Sequence, residues 1–274
     1  MPNKNNKKTS SYVPINTKLK KKYKDWHTAF SAASQLELRE IKDWLTIDME
    51  TKLPVGHLKC DIVITNKFPE RELPPSLANN GVAKCLRGVN YFEYKSPHES
   101  LTIGSYIKFT SYCYLKVALN KIPLKQASII MATSKHPEKL LNKLKKRCGV
   151  EELDKGLYRV KRCLVRTYIL SLKELPPQYN KWITSLKFNL STEEIENIFS
   201  EYAKNQNDNN FLIFFDFFCT ANKDKIKIGE NEMNQSMIDI LKKHDLLTPI
   251  IRQIPESLFK EIAEPRIQEY EQRA

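Results

Sequence analysis

The segment Tyr91-Phe92-Glu93-Tyr94-Lys95 sets a carboxylate and an ammonium two residues apart in an otherwise apolar stretch. Side chains alternate along an extended strand, so Tyr91, Glu93 and Lys95 share one face and Phe92 and Tyr94 the other. Upstream, the run around Cys60-Asp61-Ile62-Val63-Ile64 carries a second acid in similar surroundings. Alternation there puts Cys60, Ile62 and Ile64 on one face and Asp61, Val63 and Thr65 on the other. Acids in two neighbouring buried strands are costly unless something compensates their charge. A divalent cation between Asp61 and Glu93 would compensate both. Mg²⁺ suits this set because it takes one or two carboxylates plus waters and phosphate, with Mn²⁺ as its substitute. The backbone carbonyl of Tyr94 offers a further ligand. A metal so held polarises a phosphate and lowers the pKa of a bound water, and Lys95 orients that water or stabilises the developing charge. The same spacing also fits a strand-edge salt bridge between Glu93 and Lys95 with Asp61 in a turn, and spacing alone leaves both readings open.

A second Glu-x-Lys triplet stands at Glu50-Thr51-Lys52. The triplet at 93–95 is preferred because its strand is more apolar, a long helix follows it, and Asp61 lies upstream on a strand that can pair with it. Glu50 would have to look back to Asp43 or Asp25 in helical sequence.

These residues need a scaffold. Residues 25–43 read as a helix, with Asp25 as cap and Trp26, Phe30, Ala33, Leu36 and Ile41 at helical spacing. Strands are expected over 44–53 and 57–66, with Pro54-Val55-Gly56 as the turn between them. Residues 67–88, rich in Pro and Gly, read as a long loop with a short helical piece. A third strand over 89–96 ends at Pro97. An amphipathic aromatic helix over 101–119 follows, then an apolar strand at 126–132 and a lysine-rich helix at 137–147 with a basic face of Lys139, Lys143 and Lys146. Two extended stretches surround Tyr158 and Tyr168. From Ser191, where Ser-Thr-Glu-Glu matches a capping box, helices are expected near 192–205, 209–221, 231–243 and 256–272.

The chain has 274 residues, 45 Lys and Arg against 32 Asp and Glu, and a net charge of +13. That surplus favours a polyanionic partner, because basic side chains on phosphates release condensed counterions. The six cysteines form no CxxC pair and read as reduced thiols of a cytoplasmic protein. No apolar run is long enough to span a bilayer, and the polar N-terminus does not read as a signal peptide. Glycine-loop nucleotide motifs are absent. The histidines at 27, 57, 98, 136 and 244 are scattered without metal-ligand spacing and read as surface or capping residues.

The runs FSAASQLELREIKDWL, LKCDIVITN and YFEYKSPHESLTIGSYIKFTSYCYLK resemble the PD-(D/E)XK nuclease-like proteins of clostridia and related bacteria, similar to the recombination-promoting nuclease or transposase-like group. The resemblance covers roughly residues 25–185, and EYKSP followed by the Tyr- and Lys-bearing helix is its most specific part. It implies an α/β fold with a restriction-endonuclease-like core, a mixed central sheet flanked by helices. It also implies metal-dependent hydrolysis of DNA phosphodiesters, with Asp61 and Glu93 as metal ligands and Lys95 as the catalytic lysine. By the same resemblance Glu37 is the additional acid on the first helix, and Lys108, with Tyr112 one turn on, is the basic residue of the helix after the third strand. Two departures stand out: no Pro precedes Asp61, and 31 residues separate Asp61 from Glu93.

The expected organisation is a basic arm over 1–24, a nuclease-like domain over 25–190 and a helical extension over 191–274. The extension reads as a dimerisation or lid element, and the stripe Ile195, Ile198, Phe199, Tyr202 demands a partner surface. DNA is the expected substrate, with RNA as an alternative and no membrane. The rival readings are a non-catalytic nucleic-acid-binding or regulatory protein that keeps the fold, and an interaction protein that docks partners on its C-terminal helices.

Overall fold

The computed structural model describes residues 26–52, 59–187, 190–205 and 207–222. The basic arm, the turn at Pro54-Val55-Gly56 and the helices expected at 231–243 and 256–272 lie outside the described residues.

The chain opens with α1 (Trp26–Glu37), continued by a 3₁₀ turn at Arg39–Trp44. Strands β1 (Leu45–Lys52) and β2 (Lys59–Asn66) follow, then the short helix α2 (Gly81–Cys85) inside the long connection. Next come β3 (Val89–Lys95), the long helix α3 (Ile103–Leu119), β4 (Ala127–Thr133) and α4 (Glu138–Arg147). Strands β5 (Val150–Asp154), β6 (Leu157–Val160) and β7 (Arg166–Ser171) complete one seven-stranded sheet of order β1-β2-β3-β4-β7-β6-β5. Helices α5 (Lys181–Thr184), α6 (Thr192–Ser200), α7 (Tyr202–Asn205) and α8 (Asn209–Ala221) close the described part. The sheet is mixed: β1, β2 and β3 pair antiparallel, whereas β3, β4 and β7 run parallel. The expected order of helix, three strands, helix and strand is present. The strand Val150–Asp154 was not expected, because VEELD alternates weakly and its burial is slight.

Two cores flank the sheet. One holds Phe30, Ala33 and Leu36 of α1 with Ile62, Phe92 and Tyr94, and the other holds Tyr106, Phe109 and Cys113 of α3 and Leu140 and Leu144 of α4 with Tyr91 and Met131. Polar caps set the helix starts: Thr102 and Ser105 form a capping box on α3, and Ser191 and Glu194 form the expected one on α6. Among the described residues no helix is long and apolar enough to cross a membrane.

The described helices after Ser191 pack against the core. Phe211, Phe214, Phe215 and Phe218 of α8 are buried in the same core as α1, and Trp182 meets Phe211 and Phe214 edge-on with ring centroids 5.6 Å apart. The stripe Ile195, Ile198, Phe199 packs into that core as well, so the partner surface it demands is the domain itself.

Glu37 is the polar knot of this side. Its Oε1 accepts hydrogen bonds from the Trp182 and Ile183 N–H groups at 2.6 and 3.1 Å, and its Oε2 accepts from Asn80 Nδ2 at 2.7 Å. Asn80 in turn caps α2 by accepting from the Ala83 N–H. One carboxylate thus satisfies the otherwise orphaned amides at the start of α5 and ties them to the start of α2. Burial pushes the Glu37 carboxyl up, to about 7, against the pull of these N–H donors. The unfolded chain titrates near the ordinary 4.5, so the native state holds the extra proton between the two values. That stability is fully present below the lower value and is lost as pH rises through the upper one. With a shift of this size, the stability of the native protein relative to Glu37→Gln is expected to fall by about 3 kcal/mol between pH 4 and pH 8 in urea unfolding. A difference that stays flat with pH would refute this account.

Candidate functional site

Strands β2 and β3 are in register from Thr65 opposite Val89 to Ile62 opposite Phe92, and there the ladder stops. The next pair would be Asp61 and Glu93. Instead the Asp61 side chain takes the place of a backbone acceptor: its Oδ2 receives the Tyr94 N–H at 2.7 Å. A carboxylate thus replaces the next rung of the ladder. It also breaks the expected alternation on β2. Ile62 and Ile64 face α1 as foreseen, but Cys60 joins Val63 on the opposite side, and its thiol lies 3.2 Å from the carbonyls of both Ile62 and Phe92. On β3 the alternation holds, with Phe92 and Tyr94 buried toward α1 and Tyr91 toward α3.

Tyr94 makes β3 rigid here. Its ring stacks on Phe30 at 4.5 Å and 2° between planes, and its hydroxyl shares a 2.7 Å hydrogen bond with Ser134. On the open side of the strand, Lys95 Nζ donates to Glu93 Oε1 at 2.8 Å and lies 3.7 Å from Glu99 Oε1. Glu99 is fixed by accepting the Ser96 N–H at 3.1 Å within the turn after β3. Asp61, Glu93 and Lys95 are each only 14–17% exposed at the side chain.

The electrostatics follow from this geometry. Burial first and the Asp61 charge second push the Glu93 carboxyl above the usual range, and Lys95 only partly offsets them. Burial works against the Lys95 charge, but Glu93, Glu99 and Asp61 outweigh it and hold the ammonium above its ordinary value. Two carboxylates are therefore forced together with one ammonium between acids. Two carboxylate oxygens, with waters and a backbone carbonyl, could make up the shell of a hard divalent cation. Among the described residues no group of three or more His, Cys, Asp or Glu side chains could hold a metal by itself, so a cation here would keep several non-side-chain ligands.

The structure brings Asp61, Glu93, Tyr94 and Lys95 together as the spacing implied. It does not bring Glu37 to them. Glu37 lies at the far end of α1, about 15 Å along the helix from the turn that faces Asp61, and its lone pairs are spent on α2 and α5. Lys108 is exposed on α3, and no contact among the described residues joins it to Asp61, Glu93 or Lys95. The residue of α1 that reaches the centre is His27, whose Nδ1 lies 3.0 Å from Asp61 Oδ2. Its spacing to other histidines carries no signal, because its partner comes from a distant strand. The available clue was its place one turn before Phe30, on the stripe that packs against Tyr94. Beside it a cleft of about 510 Å³ opens between Trp26, His27, Ser96, His98 and Glu99.

No family model, no curated protein and no solved structure matches this chain.

Asp61→Asn retains a side-chain oxygen for the Tyr94 N–H, whereas Asp61→Ala leaves that buried donor unpaired. Asp61→Ala is expected to lose about 1–3 kcal/mol more stability than Asp61→Asn in chemical denaturation. Equal stabilities would mean that the hydrogen bond does not organise the strand end.

Proposed function

We propose that the chain is a metal-dependent nuclease with a PD-(D/E)XK core that hydrolyses DNA phosphodiester bonds. The observation that carries this reading is the break in the β2–β3 ladder, which sets the Asp61 and Glu93 carboxylates side by side with Lys95 held between Glu93 and Glu99. The helix–three strands–helix–strand order, with β3 and β4 parallel, agrees with the fold that the resemblance implies. The net charge of +13 supports a polyanionic substrate.

Asp61, Glu93 and the Tyr94 carbonyl would hold Mg²⁺, which when bound polarises the phosphate and supplies an activated water. The protein's own residues do the positioning. The Tyr94 N–H pins Asp61 Oδ2, and His27 Nδ1 lies 3.0 Å from the same oxygen. The Phe30–Tyr94 stack keeps β3 from sliding. Lys95 stays protonated and sits where an ammonium can orient the attacking water and stabilise charge gathering on the phosphate oxygens. Burial of the centre strengthens each of these interactions relative to bulk water.

One observation favours a non-catalytic binding module: Lys95 is already engaged by two acids, as in a structural ion-pair network.

The readings separate in one experiment, cleavage of plasmid and single-stranded DNA with Mg²⁺, with Mn²⁺ and with EDTA. The wild type is expected to cut only with metal, and Lys95→Ala to lose about 10²–10³ in rate. In parallel, Mn²⁺ at about ten times its Kd is expected to stabilise the wild type by about 1.4 kcal/mol and to leave Glu93→Gln unchanged. Salt-sensitive DNA binding with no cutting under any condition would transfer the assignment to a binding module.

A further inference from the structure

Beyond the centre, the carboxyl ends of β3, β4 and β7 form one continuous edge. Lys95 is paired with Thr133, and Thr133 with Ser171. Met131 and Ile169 face the α3–α4 side, so Thr133 and Ser171, two residues on, face it too, as do Glu93 and Lys95. Neighbouring strands lie about 4.8 Å apart, which puts Ser171 about 10 Å from Lys95 along this row. The carboxyl edge of parallel strands is where open α/β sheets bind ligands.

The loops that leave β4 and β7 at this edge carry Lys135 and His136 on one side and Lys173 and Glu174 on the other, and the Leu172 N–H donating to Thr133 O at 2.9 Å ties them together. His136 Nδ1 lies 2.5 Å from Glu174 Oε2, and Tyr158 donates its hydroxyl to the same oxygen at 3.1 Å. Burial pushes the Glu174 carboxyl up, but Ser171, His136 and Tyr158 outweigh it and hold it below the usual value. The turn that carries Glu174 cannot shift freely. Gly156, at φ 77°, packs so closely beneath it that a Cβ would fall 2.7 Å from Leu175 N and 2.9 Å from Ser171 O. With Nδ1 engaged, Nε2 is the end of the ring left for a ligand, and no hydrogen bond to it exists among the described residues. Lys135 and Lys173 are exposed and make no ion pair among the described residues. The nuclease centre uses none of these groups.

We propose that the substrate strand leaves the Asp61–Glu93–Lys95 centre along this edge, and that Lys135, His136 and Lys173 hold its neighbouring phosphates, with Glu174 positioning the His136 ring. The proposal rests on the nuclease reading for its direction from the centre, but its contacts can be measured without cleavage. Each lysine on a phosphate contributes about 0.7–0.9 to the slope of log binding constant against log salt. Binding of a labelled single-stranded oligonucleotide in EDTA, followed by anisotropy over a salt series, is therefore compared between the wild type and the Lys135→Ala/Lys173→Ala double variant. The slope is expected to fall by about 1.5 in the double variant. In steady-state cleavage with Mg²⁺, His136→Ala is expected to raise KM about tenfold with kcat within about twofold, as for a contact made equally in ground and transition states. Glu174→Gln should give the same KM shift, and the two changes together no more than either alone. A structural role alone would lower the melting temperature and leave both the slope and the KM-against-kcat split unmoved. An unchanged salt slope overturns the track and leaves the centre standing. A reduced slope in a wild type that never cuts keeps the track and overturns the nuclease. No binding by the wild type in EDTA overturns the track, and the nuclease then stands or falls on cleavage with Mg²⁺.

Discussion

The rest of this structure depends on how the pairing between β2 and β3 ends. A backbone N–H buried between strands needs an acceptor, and at Tyr94 the acceptor is a side chain rather than the neighbouring strand. That substitution places a carboxylate at the end of the β2–β3 ladder, where Cys60 lies on the opposite side from Ile62 and backbone pairing stops short of Glu93. Desolvating each carboxylate costs several kcal/mol, and one ammonium recovers only part of it. The neighbouring structure is built to withstand that strain: the Phe30 stack, the Ser134 hydrogen bond and the Ser96–Glu99 turn each fix a residue next to the break.

Helix α1 links the break to the rest of the fold. Its first turn meets Asp61 through His27, its middle fills the core with Phe30 and Ala33, and its last turn spends Glu37 on the starts of α2 and α5. Shifting the helix by one residue would lose all three at once. The phenylalanines of α8 cover its outer side, so residues well beyond the sheet help to hold His27 at the centre.

Much of this was legible before the fold. Strand β3 could be placed with its faces assigned, because alternation sets Glu93 and Lys95 opposite the Phe92 and Tyr94 rings. The order of elements followed from periodicity and from prolines and glycines at the joints. What was not legible depends on contacts between distant segments. Glu37 enters the active site only through the resemblance, as the acid of the first helix, and the sequence does not say that its partner is the start of α5, some 145 residues later. His27 and His136 looked incidental for the same reason, since each finds its carboxylate on another element. Strict alternation sets Cys60 on the face of Ile62 because it assumes an unbroken ladder, and the ladder breaks beside it.

Charge gives the arrangement its direction. The chain carries a surplus of +13, yet the centre itself gathers Asp61, Glu93 and Glu99 around Lys95. A phosphate approaching such a centre meets acids first. Attraction for a polyanion must therefore come from the flanks, and attraction for a cation from the centre. In the proposed enzyme these two needs coincide, because a divalent ion bound between the acids reverses the local sign and lets the phosphate in. Basic groups on the carboxyl edge, about 10 Å away across the sheet, then hold the strand without competing for the ion. On this reading Asp61 serves the ion rather than the phosphate, and the Tyr94 N–H donated to its Oδ2 keeps it at the strand end.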